Sequence, residues 1–189
     1  EFGRMKRMRQ SLPGIIRPDV IPTENGFAVT ELDSVPGGFG LTSSLMSLYG
    51  DPAWKMIGAG IPTLFHQMLE SISKEPSPNI AIVVSDEAKD YLKEMQYLGL
   101  LLKKTGVYVV HPKDLSFREE GLFLMHDEKW LQVDVLYRFF ELFDLKNIPK
   151  SELLLYAAKK GRVVTTPPYK PWLEEKLSFA LFSHPALKT

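Results

Sequence analysis

Three carboxylates and one arginine lie on two neighbouring apolar runs near the start of the chain. Arg17 and Asp19 belong to the first run, and Glu31 and Asp33 belong to the second. A tight turn at residues 24–26 joins the two runs. Carboxylates that share an apolar environment cost free energy unless a cation neutralises them. The pattern therefore indicates either a site for a divalent metal and a phosphate-bearing substrate, or a surface hairpin whose acids form salt bridges.

The spacing of these residues is suited to binding a hard cation. Glu31 and Asp33 are two positions apart on one strand, so we expect both to point to one face, together with Phe27 and Val29. Asp19, on the partner strand, could supply a third oxygen. Magnesium is commonly bound by carboxylates together with water and substrate phosphates. Arg17 would then be free to neutralise charge on a transferred phosphoryl group.

Further candidate residues follow the second run. The loop over residues 34–40 contains Ser34, Gly37 and Gly38, and it precedes a predicted helix. Glycines before a helix N-terminus expose backbone N–H groups that can bind an anion, although the same pattern is typical of a plain turn. Arg138 could bind a carboxylate or phosphate of the substrate, or pair with Asp134 or Glu141.

The order of predicted elements favours an α/β fold. Residues 14–21 and 26–33 form a predicted hairpin around Asn25-Gly26, a strong turn signal. The buried run over 79–85, a helix from 86 or 87 to 104, and a strand over 107–110 give a strand–helix–strand unit. The other predicted elements are helices over 42–49, 54–73, 151–160 and 171–182, a hairpin of 121–125 with 130–137, and a strand over 162–166.

Composition excludes several classes of protein. The chain has 189 residues with 23 basic and 23 acidic side chains, and this balance argues against a nucleic-acid or membrane-surface binder. Cysteine is absent, which excludes disulfides and thiolate metal sites and suggests a cytoplasmic location. No apolar stretch approaches the ~20 residues of a membrane span. We therefore expect no nucleic-acid or membrane partner, and the oligomeric state stays open.

The pattern Arg17-x-Asp19 followed by Glu31-x-Asp33 resembles the metal-binding segment of circularly permuted ATP-grasp ligases, such as glutathionylspermidine synthetase. The resemblance implies that Asp19, Glu31 and Asp33 bind the Mg2+ of ATP and that Arg17 is catalytic. The family usually has asparagine at the position of Asp33. The segment around Lys176 resembles the helix that introduces an ATP-contacting lysine.

Residues 1–13 open with Glu-Phe-Gly in place of methionine and are predicted to be a tag or lead-in. The resemblance implies a division of the rest of the chain: 14–53 would be the metal-binding segment, 54–150 a Rossmann-like pre-ATP-grasp domain, and 151–189 a helix-strand-helix leading toward an ATP-binding lid. The lid's glycine-rich loop would follow Thr189, so we expect a fragment with little activity alone.

The resemblance predicts an ATP-dependent carboxylate–amine ligase acting through an acyl phosphate. Its partners would be small-molecule or peptide carboxylates and amines. A non-catalytic binding or scaffold module is the alternative. The dinucleotide-binding domain of an oxidoreductase is less favoured, because no Gly-x-Gly-x-x-Gly turn follows the strand that ends near Ser85.

Overall fold

The structure is a computed structural model that describes residues 11–50 and 60–187, and these form a mixed α/β fold. The strands are β1 (Arg17–Thr23), β2 (Gly26–Asp33), β3 (Ile80–Val84), β4 (Val107–Val110), β5 (Ser116–Phe117), β6 (Leu122–His126), β7 (Lys129–Gln132), β8 (Val135–Phe139) and β9 (Val164–Thr166). The α-helices of these ranges are α1 (Phe39–Tyr49), α2 (Ile61–Ser71), α3 (Leu92–Leu102) and α4 (Ser151–Lys160). None of the described helices has the length and apolar character needed to cross a membrane.

A four-stranded parallel sheet organises the molecule, with the strand order β4-β3-β8-β9. Every residue of β3 is buried, because helices or strands cover both faces of the sheet. This agrees with the continuous apolar run in the sequence. Strand β9, which follows α4, completes the same sheet, so the sheet continues beyond residue 150.

Two apolar clusters cover the two faces of the sheet, and the alternation of side chains along β3 assigns them. Ile80 and Ile82 pack with Phe39 of α1, Phe65 of α2 and Leu98 of α3. On the other face, side chains of β3 and β8 pack with α4 and with the antiparallel sheet β5-β6-β7; this cluster includes Ala81, Val83, Leu122, Leu124, Leu136, Leu154 and Ala157.

The hairpin β1–β2 has the predicted turn, but its pairing contains a β-bulge. Asp19 pairs with Glu31, whereas the next residue, Val20, pairs with Val29, so Thr30 has no partner in the ladder. Paired residues of antiparallel strands share a face and consecutive residues alternate. Glu31 and Asp33 therefore share a face with Asp19 and Arg17. The prediction that Phe27 and Val29 lie on that same face is wrong, because the extra residue reverses the alternation.

The predicted strand over 130–137 is also wrong as a single element. It divides into β7, which pairs with β6 in the antiparallel sheet, and β8, which lies in the parallel sheet. The chain changes sheets at Asp134, whose carboxylate accepts a hydrogen bond from the N–H of Asn79 at 2.9 Å. Only the tertiary position of β3 distinguishes the two halves of this apolar run.

Several predicted helices are shorter in the structure. The segment 86–104 has a 3-10 turn at each end of α3. The predicted helix over 171–182 consists of 3-10 segments, Pro171–Leu173 and Lys176–Ser183. These two segments bury few side chains. A short α-helix is stable only when it packs against the rest of the protein, so the 3-10 conformation is expected here. Helix α2 begins at Ile61; the first residues of the predicted helix over 54–73, up to 59, lie outside the described residues.

Candidate functional site

A cleft of about 380 Å³ lies at the carboxyl ends of β3 and β8. Strand β3 connects to β4 on one side, while β8 lies on its other side and continues to β9. The chain connections therefore diverge between β3 and β8, and ligands of parallel α/β sheets bind at such switch points. We call this cavity the switch-point cleft. It is lined by Arg17, Asp33, Val35, Gly37, Ser85, Glu87, Ala88, Tyr91, Phe139, Phe140, Glu141, Phe143 and Asp144.

Arg17 connects the hairpin to this cleft. Its guanidinium contacts a carboxylate oxygen of Asp19 at 3.1 Å and one of Asp33 at 3.2 Å. It also donates a hydrogen bond of 2.7 Å to the carbonyl of Gly37. Arg17 thus contacts two of the three predicted metal ligands and also the loop over residues 34–40, which we call the glycine loop.

Asp33 is the most buried of the three predicted metal ligands. Burial raises the pKa of Asp33, and the negative charges of Glu31 and Asp19 also raise it. The N–H of Val35 donates to its carboxylate at 2.8 Å, and this contact and Arg17 oppose the rise. The three carboxylates are therefore close enough to repel one another, which favours a cation between them.

Glu31 forms an ion pair of 2.9 Å with Lys176. The Lys176 side chain is 68% exposed, so this pair contributes little to stability. Lys176 lies at the start of a 3-10 segment rather than on an α-helix, yet it approaches the same hairpin face. The pairing brings the predicted ATP-contacting lysine and a predicted metal ligand together.

The donor set is compatible with magnesium, which prefers carboxylate oxygens. Among residues 11–50 and 60–187, however, no three acidic or histidine side chains are already arranged around one point as a metal centre. Arg17 and Lys176 contact the carboxylates instead. Asp19, Glu31 and Asp33 fit the chemistry of the ion, and binding it would require these two cations to move.

The glycine loop contacts α3 from within the protein. One carboxylate oxygen of Glu94 accepts hydrogen bonds from the N–H groups of Gly38 at 2.8 Å and Gly40 at 3.3 Å. Gly38 has φ of 88°, which favours glycine. A Cβ atom at Gly37 would lie 2.3 Å from the Tyr91 ring. Ser34 is buried, and its hydroxyl has no hydrogen-bond partner among the described residues.

Arg138 is fully buried beneath the cleft. Its guanidinium donates to the carbonyls of Phe140, Pro167 and Pro168, and it forms an ion pair with Glu174. The second oxygen of Glu174 accepts a hydrogen bond from the N–H of Leu142 at 2.8 Å. The ion-pair partner of Arg138 is thus Glu174 rather than Asp134, which bonds Asn79, or Glu141. Its proposed contact with substrate stays a prediction.

Two further residues that line the cleft, Glu141 and Ser85, are not among the site residues predicted from the sequence. Ser85 follows β3 directly, and Glu141 follows β8 after Phe140. Both positions therefore lie at the carboxyl end of a parallel strand. Ligands bind where the strands of a parallel sheet end. Glu141 is therefore predictable as a site residue only if β8 is assigned to the parallel sheet.

No protein-family model matches the sequence, and no curated protein matches it. The features that bear on function are therefore the geometry of the cleft and the motif formed by Arg17, Asp19, Glu31 and Asp33.

Proposed function

We propose that this chain carries the metal-binding segment and Rossmann-like domain of an ATP-dependent carboxylate–amine ligase with a permuted ATP-grasp fold. The observation that supports this best is the contact of one guanidinium, that of Arg17, with Asp19 and Asp33 beside the switch-point cleft. A phosphoryl-transfer site needs carboxylates for magnesium and a cation for the transferred group. The parallel sheet and the position of the cleft agree with this proposal.

In the proposed reaction, Asp19, Glu31 and Asp33 would hold magnesium, which neutralises the phosphate oxygens of ATP. Arg17 lines the cleft and can stabilise negative charge on the group transferred to a substrate carboxylate. Because Arg17 is held on Asp19 and Asp33, ion binding would free its guanidinium to contact phosphate. Lys176 would likewise leave its ion pair with Glu31 and contact the nucleotide.

The glycine loop would border the acyl substrate. Gly37 turns its carbonyl to Arg17, and Gly38 is fixed on Glu94, so the loop is held by both sides of the site. A fixed loop costs less ordering entropy when the substrate binds. The carboxylate would be a small molecule or a peptide, and an amine would displace phosphate to form an amide bond.

Substitution of the metal ligands tests this function. We expect Asp19→Ala and Glu31→Ala to reduce magnesium-dependent ADP formation by about 100-fold or more, because the phosphate charge loses its neutralising ion. The assay uses the full-length protein with ATP, magnesium and a panel of amino acids, dicarboxylates and short peptides. Glu24→Ala is the matched control, since Glu24 is an exposed acid in the turn of the same hairpin. Unchanged turnover in either ligand variant would falsify the assignment.

A non-catalytic binding or scaffold module is the second candidate. It is favoured by one observation: the cations Arg17 and Lys176 already neutralise the hairpin acids, and Glu94 already occupies the N–H groups of the glycine loop. Charged and polar groups that already have partners within the protein are expected in a module that has the fold but no catalytic activity. Calorimetry of the full-length protein with magnesium-ATP separates the two candidates, because the ligase must bind the nucleotide and the module need not.

A further inference from the structure

The switch-point cleft contains an acidic side chain that the proposed phosphoryl transfer does not use. Glu141 follows β8 and lines the cleft together with the hairpin residues Arg17 and Asp33. Ser85 also lines the cleft, and its hydroxyl is buried and has no hydrogen-bond partner among the described residues. A buried hydroxyl without a partner costs free energy unless a ligand supplies one. The pair therefore points to a ligand group that can both donate and accept hydrogen bonds.

The surroundings of Glu141 favour its neutral form. Burial, followed by the charge and the hydrogen bond of Glu174, raises the pKa of Glu141 to about 7, while Arg138 opposes the rise. Asp33 adds a smaller repulsion from the hairpin. The other charged groups that line the cleft are Arg17, Glu87 and Asp144.

Glu174, the neighbour that raises the pKa of Glu141, is itself fixed. It bonds Arg138 with one oxygen and the N–H of Leu142 with the other. The charge of Glu174 therefore stays beside Glu141. A carboxyl group that lines the cleft and titrates near neutral pH can accept a proton from a bound amine.

We propose that Glu141 is the general base that deprotonates the amine substrate, with the Ser85 hydroxyl orienting the nitrogen. This inference rests on the proposed ligase function. Alternative acids in the cleft are less suited to the role. Glu87 is exposed, and Asp144 accepts a hydrogen bond from Asn147.

The proton balance of the amide-forming step is complete with this base. The ammonium of the substrate gives one proton to the Glu141 carboxylate, and the freed lone pair attacks the acyl carbon. The new C–N bond forms as the C–O bond to phosphate breaks, and phosphate leaves with that electron pair. The nitrogen's second proton goes to the departing phosphate, which leaves as hydrogen phosphate. Glu141 then returns its proton to solvent.

The experiment compares two amines in the full-length protein, with ATP, magnesium and the same carboxylate panel. Methylamine is protonated at neutral pH and needs a base, whereas hydroxylamine is mostly unprotonated and does not. We expect Glu141→Gln to reduce amide formation with methylamine by about 100-fold or more and to remove the rise of that rate with pH. ADP formation and hydroxamate formation with hydroxylamine should stay within about twofold of the wild-type rate.

Glu152→Gln is the matched control, because Glu152 is an exposed acid on α4. An active wild type whose E141Q variant loses both products equally, or neither, overturns the role of Glu141 alone. A wild type that forms neither ADP nor hydroxamate overturns the ligase function and the role of Glu141 with it. Binding of magnesium-ATP by E141Q, measured by calorimetry, checks that the variant has kept its fold.

Discussion

Arg138 is a buried cation that holds in place the residues beside the proposed general base, Glu141. It is fully buried, yet its guanidinium has acceptors on several sides: backbone carbonyls of Phe140, Pro167 and Pro168, and the carboxylate of Glu174. A buried cation is tolerated when its donors and its charge are both satisfied in this way. The ion pair also fixes Glu174, and Glu174 raises the pKa of Glu141. The buried Arg138 therefore acts on the proposed general base through Glu174.

Removing the Arg138 cation should be strongly destabilising. We expect Arg138→Met to lower the free energy of unfolding by about 3–5 kcal/mol, because Glu174 becomes an unpaired, largely buried charge and the carbonyls lose their donor. Urea denaturation followed by circular dichroism gives the measurement. Arg162→Met serves as the control, since Arg162 is exposed. A loss below about 1 kcal/mol for R138M would show that the pair is not satisfied as described.

At the scale of elements, helix α3 fixes the glycine loop, and the glycine loop in turn contacts the hairpin through Arg17. Helix α1 begins after Gly38 without a side-chain cap of its own. Glu94 of α3 supplies the missing acceptor by bonding Gly38 and Gly40. A carboxylate near a helix N-terminus is also favoured by the helix dipole. The contact fixes the loop that carries Gly37 to Arg17.

The Glu94 contact predicts a measurable loss of stability. Glu94→Ala should reduce the free energy of unfolding by about 1–3 kcal/mol, because two backbone donors lose their acceptor. Gln96→Ala is the matched control on the same helix, since Gln96 is exposed. Both values come from denaturant unfolding at neutral pH. If the two variants are equally stable, the α1 N-terminus finds its acceptors in solvent and the loop does not need α3.

At the scale of the whole molecule, Glu141 links stability to pH. Its folded pKa of about 7 lies above the ordinary value of 4.5, so the folded protein binds this proton more tightly than the unfolded chain. The unfolded state then releases the proton first, and the free energy of unfolding falls as pH rises from about 4.5 to about 7. The contribution of the neutral carboxyl is fully present below that window and is lost above it.

We therefore expect the wild-type protein to lose stability between pH 5 and pH 8 more steeply than Glu141→Gln does. Glutamine mimics the neutral carboxyl, and so the variant should be the more stable protein at pH 8. Denaturant unfolding at several pH values measures the slope, and Glu152→Gln should keep the wild-type slope. Parallel slopes in wild type and E141Q would mean that Glu141 titrates in the folded protein as it does in the unfolded chain.

The sequence by itself determined the elements whose signals are local. The Asn25-Gly26 turn, the buried run of β3 and the helix α4 ending at Gly161 all occur where composition and periodicity predict them. It also predicted that Arg17, Asp19, Glu31 and Asp33 lie on neighbouring strands, and Arg17 contacts both Asp19 and Asp33 in the structure. These features depend on neighbours in the chain, so a single sequence contains the information.

Only the tertiary structure decided the features that depend on distant partners. The bulge at Thr30 sets which side chains share the hairpin face, and it follows from pairing rather than from alternation. The run over 130–137 divides because β3 offers a parallel partner to its second half. That pairing brings Glu141 and Ser85 to one cleft with Arg17 and Asp33. Burial and charge there come from long-range packing, which sequence patterns of one or two turns do not encode.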